Sequence, residues 1–277
     1  MTLALPSLAS NHRPPKVQFS VLPGEPPREY YYYAPASAGR GAPLLVLVHG
    51  IARQAAETIF RFSGEADRLG IVLLAPFFSA TAYRRYQLVI DDVAGRADLA
   101  LFDMVEATAL QTGCEKDKLH LFGYSGGAQF VHRFTMIHPS RVASMSVASA
   151  GWYTMPDADE PYPYGIGSHP LERQSFDPPA FLRIERHVFV GGRDRQRDGH
   201  LRTSKKLDRL QGRDRVERAC RWNAMMNAAS ERWNAHPPDS TFELLQGVGH
   251  SFSSSARKLS LPQRVVARLF PEQGDHD

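Results

Sequence analysis

The chain has 277 residues, 43% of them hydrophobic and 22% charged, a balance that excludes intrinsic disorder and low complexity. A formal charge of +4 is too small to mark a nucleic-acid binder. Two cysteines, Cys114 and Cys220, exclude a disulfide scaffold and the C-x-x-C pairs of most structural zinc sites, and the absence of any run of about 18 apolar residues excludes a membrane-spanning helix.

Residues 1–15 are mildly apolar, carry no basic start and are broken at Pro6. They read as a loose tail rather than a secretory leader, so a cytoplasmic setting is the default expectation. KVQFSV (16–21) and REYYYYA (28–34) read as two strands around the turn-rich LPGEPP. PLLVLVHG (43–50) is a continuous apolar run ending in glycine, the pattern of a strand buried on both faces of a parallel sheet. A helix is expected over 54–69 and a strand over IVLLAPF (71–77). Leu99, Phe102, Val105 and Ala109 recur at helical spacing and predict a helix over 92–113.

KLHLFGYS (118–125) is the next strand, followed by a helix from Gly126 to Ile137 that Pro139 stops. Further strands are expected over 141–151, 187–192 and 241–246, and further helices over 213–234 and 261–270. Strand and helix alternate throughout, so the fold class is α/β: one domain over 1–277, built on a mostly parallel sheet with helices on both faces. Residues 152–186 break the rhythm. They are rich in Pro, Tyr and Trp, and read as a lid-like excursion over the site.

The strongest local signal is Gly123-Tyr124-Ser125-Gly126-Gly127, a G-x-S-x-G pattern with an apolar strand before it and a helix after it. A strand–turn–helix of this kind holds a serine at a strained backbone angle with its hydroxyl exposed. Side chains two residues before and after would collide, hence glycine at 123 and 127. A serine nucleophile needs a base, and the base needs an orienting acid. His250 lies in a glycine-flanked loop, GVGHSF (247–252), after a strand. His120 sits inside a strand, and His132 and His138 share no helix face, so these read as packing or surface residues. Asp194 follows the strand HVFVGG after a single residue and is preferred as the acid over Asp198, four residues further on. The order Ser125, Asp194, His250 differs from the two other serine hydrolase layouts.

These residues resemble the α/β-hydrolase superfamily over roughly residues 40 to 270, and within it the esterase and polyhydroxyalkanoate-depolymerase-like branch. The resemblance is carried by LLVLVHG (44–50), EADRLGIVLLAP (65–76), KLHLFGYSGG (118–127), VGGRD (190–194) and GVGHSF (247–252). It implies an α/β-hydrolase fold with a sheet of about eight strands, and backbone N–H groups of Ile51 and Gly126 that hold an oxyanion. The single His49-Gly50 pair lacks the extra glycines of HGGG-type lipases, and His49 itself reads as a residue that holds the loop.

The expected activity is hydrolysis of a small-molecule carboxylic ester through an acyl-enzyme, with no metal and no cofactor. A thioesterase or peptidase on the same residues is the first alternative, and a non-catalytic binding protein the second. Tyr124, Trp152 and Tyr153 are candidate substrate contacts, as apolar and aromatic surfaces suit hydrophobic acyl or alcohol groups. Between Arg183 and Arg232, twelve Arg and two Lys face seven acidic residues. The favoured reading is a solvated helix face laced with pairs such as Asp214–Arg218 and Glu217–Arg221, and no motif supports DNA or RNA binding.

Overall fold

The computed structural model describes residues 16–168 and 176–271. The expected tail at 1–15 and part of the excursion, 169–175, lie outside the described residues. Among the described residues eight strands form one sheet: β1 (Gln18–Leu22), β2 (Arg28–Tyr33), β3 (Leu44–Val48), β4 (Val72–Phe77), β5 (Leu119–Tyr124), β6 (Val142–Ala148), β7 (Glu185–Gly191) and β8 (Ser240–Leu245). Their order is β1-β2-β4-β3-β5-β6-β7-β8. The first two pairings, β1 with β2 and β2 with β4, are antiparallel, and every other is parallel.

The apolar run of β3 shows why the centre of the sheet is double-sided. Leu44, Val46 and Val48 join one core cluster, while Leu45 and Leu47 join the other. Successive strand residues point to opposite faces, so a strand covered on both sides is apolar at every position. One face is covered by α1 (Ala55–Leu69) and α8 (Leu261–Leu269), through Ile59, Phe62, Val265 and Val266. The other face carries α2 (Ala97–Thr112), α3 (Gly126–Ile137), α4 (Pro178–Leu182) and α6 (Arg215–Trp233), through Leu101, Phe130, Phe181 and Trp222. Among the described residues no helix is long and apolar enough to cross a membrane, and both cysteines are free thiols.

The helix expected from residue 92 begins at Ala97, because Asp92 and Gly95 close a turn and Arg96 is still extended. Three helices went unread: α4, α5 (Lys205–Leu210) and α7 (Phe252–Leu259), of five, six and eight residues. Runs of five or six residues are too short to show apolar periodicity, and the caps of all three helices were readable. The side chains of Asp177, Ser204 and Ser251 each accept a first-turn backbone N–H.

The basic stretch also differs from expectation. Arg186, Arg215 and Arg218 are fully buried rather than solvated. Asp214 caps α6 through Glu217 N and pairs with Arg195, while Glu217 accepts from Arg213 N. Arg218 instead donates to the carbonyls of Gly212, Gly151 and Arg202 at 2.9, 2.7 and 2.9 Å. A guanidinium offers five donors in a plane, which three carbonyls from separate segments take up here.

Candidate active site

The parallel strands β3, β5 and β7, with β8, deliver their following loops to one sheet edge, as open α/β sheets do. Ser125 sits between β5 and α3 at φ 55° and ψ −110°, a left-handed backbone for a residue with a Cβ. The flanking glycines are required by close approach. A Cβ on Gly123 would stand 2.3 Å from the Gly127 carbonyl carbon, and one on Gly127 would stand 2.0 Å from the Val48 oxygen.

Ser125 Oγ and His250 Nε2 are 3.0 Å apart, and His250 Nδ1 lies 2.7 Å from Asp194 Oδ2. The carboxylate accepts the Nδ1 proton, which leaves Nε2 as the acceptor for the serine hydroxyl. The loops bearing Asp194 and His250 are tied together: Gly192 N donates to Leu245 O and Arg193 N to Val248 O, at 2.8 and 2.9 Å. Asp194 is fully buried, whereas Asp198 is half-buried and does not bond to the imidazole. Arg215, at the start of α6, was not anticipated. Its guanidinium donates to Asp194 Oδ1 at 3.1 Å and to Asp198 Oδ1 at 3.2 Å.

Ile51 and Gly126 meet beside the serine. A Cβ on Gly126 would come within 3.2 Å of Ile51 N, and one on Gly50 within 3.5 Å of Ser125 Cβ. Among the described residues neither the Ile51 nor the Gly126 N–H has a backbone acceptor. His49 holds this loop: Nε2 accepts from Phe78 N at 3.0 Å and Nδ1 donates to Gly50 O at 2.8 Å. Burial pushes its imidazole down to about 4, so it is neutral. Tyr86 completes the brace, its hydroxyl donating to His49 O at 2.8 Å.

A cavity of about 340 Å³ opens over Ser125 and His250, with walls from Ile51, Tyr124, His200 and Phe252. Tyr124 packs its ring against His250 and Phe252, with centroids 5.5 and 5.6 Å away. Trp152 and Tyr153 do not line this cavity. Tyr153 is fully buried and stacks on Trp222 at 4.7 Å, and Trp152 is held between Arg133 and Arg202, 4.4 and 5.1 Å from its centroid. Aromatic area is better buried on a neighbouring ring or guanidinium than left facing water. His132 is a core residue that accepts Thr154 N and so fastens the start of the excursion.

Metal-ligand types come within reach of one another elsewhere. Glu185, His187 and Asp239 place ligand atoms within 4.8 Å, at the opposite sheet edge where β7 and β8 begin. Both His187 nitrogens are already engaged there, by Thr241 and Glu185.

No protein-family model and no curated protein matches the chain. Solved structures do. A poly(aspartic acid) hydrolase from Sphingomonas sp. KT-1 is 24% identical, with a TM-score of 0.75 over 89% of this chain and 99% of that one. The LpqC poly(3-hydroxybutyrate) depolymerase from Bordetella parapertussis is 21% identical, with a TM-score of 0.71 over 90% and 94%. An S-formylglutathione hydrolase from Agrobacterium tumefaciens is 15% identical, with a TM-score of 0.61 over 92% and 96%. At these identities the likeness is one of fold.

Proposed function

On the α/β-hydrolase fold that this chain adopts, we propose a serine hydrolase of carboxylic esters. The observation that carries the reading is the hydrogen-bonded series Ser125–His250–Asp194, at 3.0 and 2.7 Å, with the serine on a strained turn. Ser125 Oγ attacks the ester carbonyl while His250 Nε2 takes its proton. The Ile51 and Gly126 N–H groups receive the oxyanion. Collapse breaks the ester bond, and His250 returns the proton to the departing alcohol. Water then repeats the sequence on the acyl-Ser125 ester and releases the acid. Asp194 holds the imidazole tautomer and stabilises the imidazolium.

A 340 Å³ cavity stands at the small end of the ligand-pocket range and suits short acyl chains. Two neighbours are named for polymers, poly(aspartic acid) and poly(3-hydroxybutyrate), so short oligoesters belong in the substrate panel. A fluorophosphonate should label Ser125 and leave Ser125→Ala unlabelled, and p-nitrophenyl butyrate should be turned over faster than the dodecanoate. Ser125→Ala and Asp194→Asn should each lower kcat by about 10⁴-fold. Near-normal turnover by Ser125→Ala would overturn the reading.

A further inference from the structure

Resting on that reading, we propose that Arg215 and Asp198 are positioning residues for the acid–base pair. Arg215 grips the Asp194 oxygen that His250 leaves free, and Asp198 offsets the Arg215 charge so that Asp194 keeps its pull on the imidazolium. The carboxylate of Asp194 is fully divided between two donors: Oδ2 faces His250 Nδ1 at 2.7 Å and Oδ1 faces Arg215 Nη1 at 3.1 Å. Arg215 and Asp194 are each 1% exposed, so a rotation of Asp194 would cost a buried guanidinium its shorter Nη1 hydrogen bond. That cost fixes the carboxylate plane, and with it the imidazole.

A guanidinium against the acid alone would weaken it, because the imidazolium formed in catalysis would share one negative charge with a fixed positive one. Asp198 removes this conflict. Its carboxylate takes Arg215 Nη2 at 3.2 Å and Nη1 at 3.5 Å, and burial of that carboxyl is outweighed by these bonds, which hold it below its ordinary range. Two carboxylates and one guanidinium carry a charge of minus one. Proton transfer to His250 brings the group to neutrality around the buried Asp194–Arg215 pair, where an unbalanced charge is costly. The other groups around the imidazole are Tyr124 from β5 and Ser125 beyond it, and His200 across the cavity; Glu57 of α1 is turned to Ser253, from which it accepts at 2.7 Å. None of these supplies a second carboxylate at the Arg215 fork.

The pH dependence of kcat/KM on a p-nitrophenyl ester separates this role from a structural one. An imidazole base must be neutral to act, which gives an acid limb to the profile. Asp198→Asn keeps the oxygen that accepts the His200 and Leu201 N–H groups, at 3.0 Å each, and removes the charge together with the acceptor that faces Arg215 Nη1. Its acid limb should move to lower pH by roughly half a pH unit, with kcat about 10-fold down. Arg215→Gln should move the limb the other way and lower kcat about 10²-fold through misplacement of Asp194. Arg215→Lys keeps the charge without the two-pronged fork, so its limb should stay near that of the parent while part of kcat returns. Asp198→Asn and Arg215→Gln limbs that move together, or do not move, would overturn the inference. Asp198 is half-buried, so Asp198→Asn gives a readable result even if Arg215→Gln does not fold. If Ser125→Ala keeps its turnover the hydrolase reading fails; if Ser125→Ala is dead while the Asp198 and Arg215 limbs match the parent, only this inference fails.

Discussion

Gly127 and Ser125 show a residue identity set by the space its backbone must share. The strand–turn–helix around Ser125 was legible because a left-handed serine followed by an immediate helix leaves no room for a Cβ two residues on. The structure supplies the collision partner, the Val48 oxygen at 2.0 Å. Gly127→Ala therefore drives β3 and α3 apart, since backbone cannot move aside as a flexible side chain can. We expect a loss of about 3 kcal/mol or more in urea unfolding, with activity lost alongside it. A variant as stable as the parent would mean that the turn relaxes. That Asp194 and not Asp198 comes against His250 has a related reason: a residue one step past a buried strand inherits the position of the sheet. What no local pattern revealed is that Asp198 reaches the same guanidinium as Asp194, because Arg215 lies 21 residues from Asp194 in sequence.

At the scale of elements, buried arginines join pieces that hydrophobic packing alone leaves with unsatisfied carbonyls. Arg218 of α6 links the end of β6 through Gly151, the loop before α5 through Arg202, and the turn before α6 through Gly212. Arg218→Met fills much of the volume but strands three carbonyls. Stability should fall by about 3 kcal/mol or more. The damage should centre on the excursion, read as faster amide exchange at Trp152 and Tyr153 than across β3. Uniform exchange behaviour in the variant would contradict the linkage. The excursion's aromatic residues invited a substrate-facing interpretation from composition alone, yet Tyr153 and Trp222 pair in the core. Composition reports that a ring seeks cover; it does not report whether that cover is substrate or helix.

For the molecule as a whole, several histidines are desolvated in neutral form, His49 and His132 fully buried and His120 partly. Burial pushes His49 and His120 down to about 4 and His132 well below its ordinary value. In the unfolded chain these groups take up protons near pH 6.5, while in the folded chain they do so only near pH 4 or below. Their burial therefore costs nothing extra above about pH 6.5, and stability is lost as pH falls from there toward 4. Each such group adds about 1.4 kcal/mol per pH unit to the slope in that interval. Urea midpoints measured from pH 7.5 to 4.5 should fall continuously, more steeply than one group would give. A flat curve down to pH 5 would show that the imidazoles reach solvent in the native state.

The α/β alternation, the double-sided central strand, the serine turn, and the placement of Asp194 and His250 at strand ends were all determined by the sequence itself. Each depends on local spacing or on the residue types that one backbone conformation permits. The tertiary structure alone decided three other matters: that Arg215 bridges Asp194 and Asp198, that Trp152 and Tyr153 turn inward, and that the basic stretch is partly buried. Those outcomes depend on which carbonyls, carboxylates and rings from distant segments meet once the sheet has closed. A charged or aromatic side chain carries no mark in its own neighbourhood of the partner that will satisfy it.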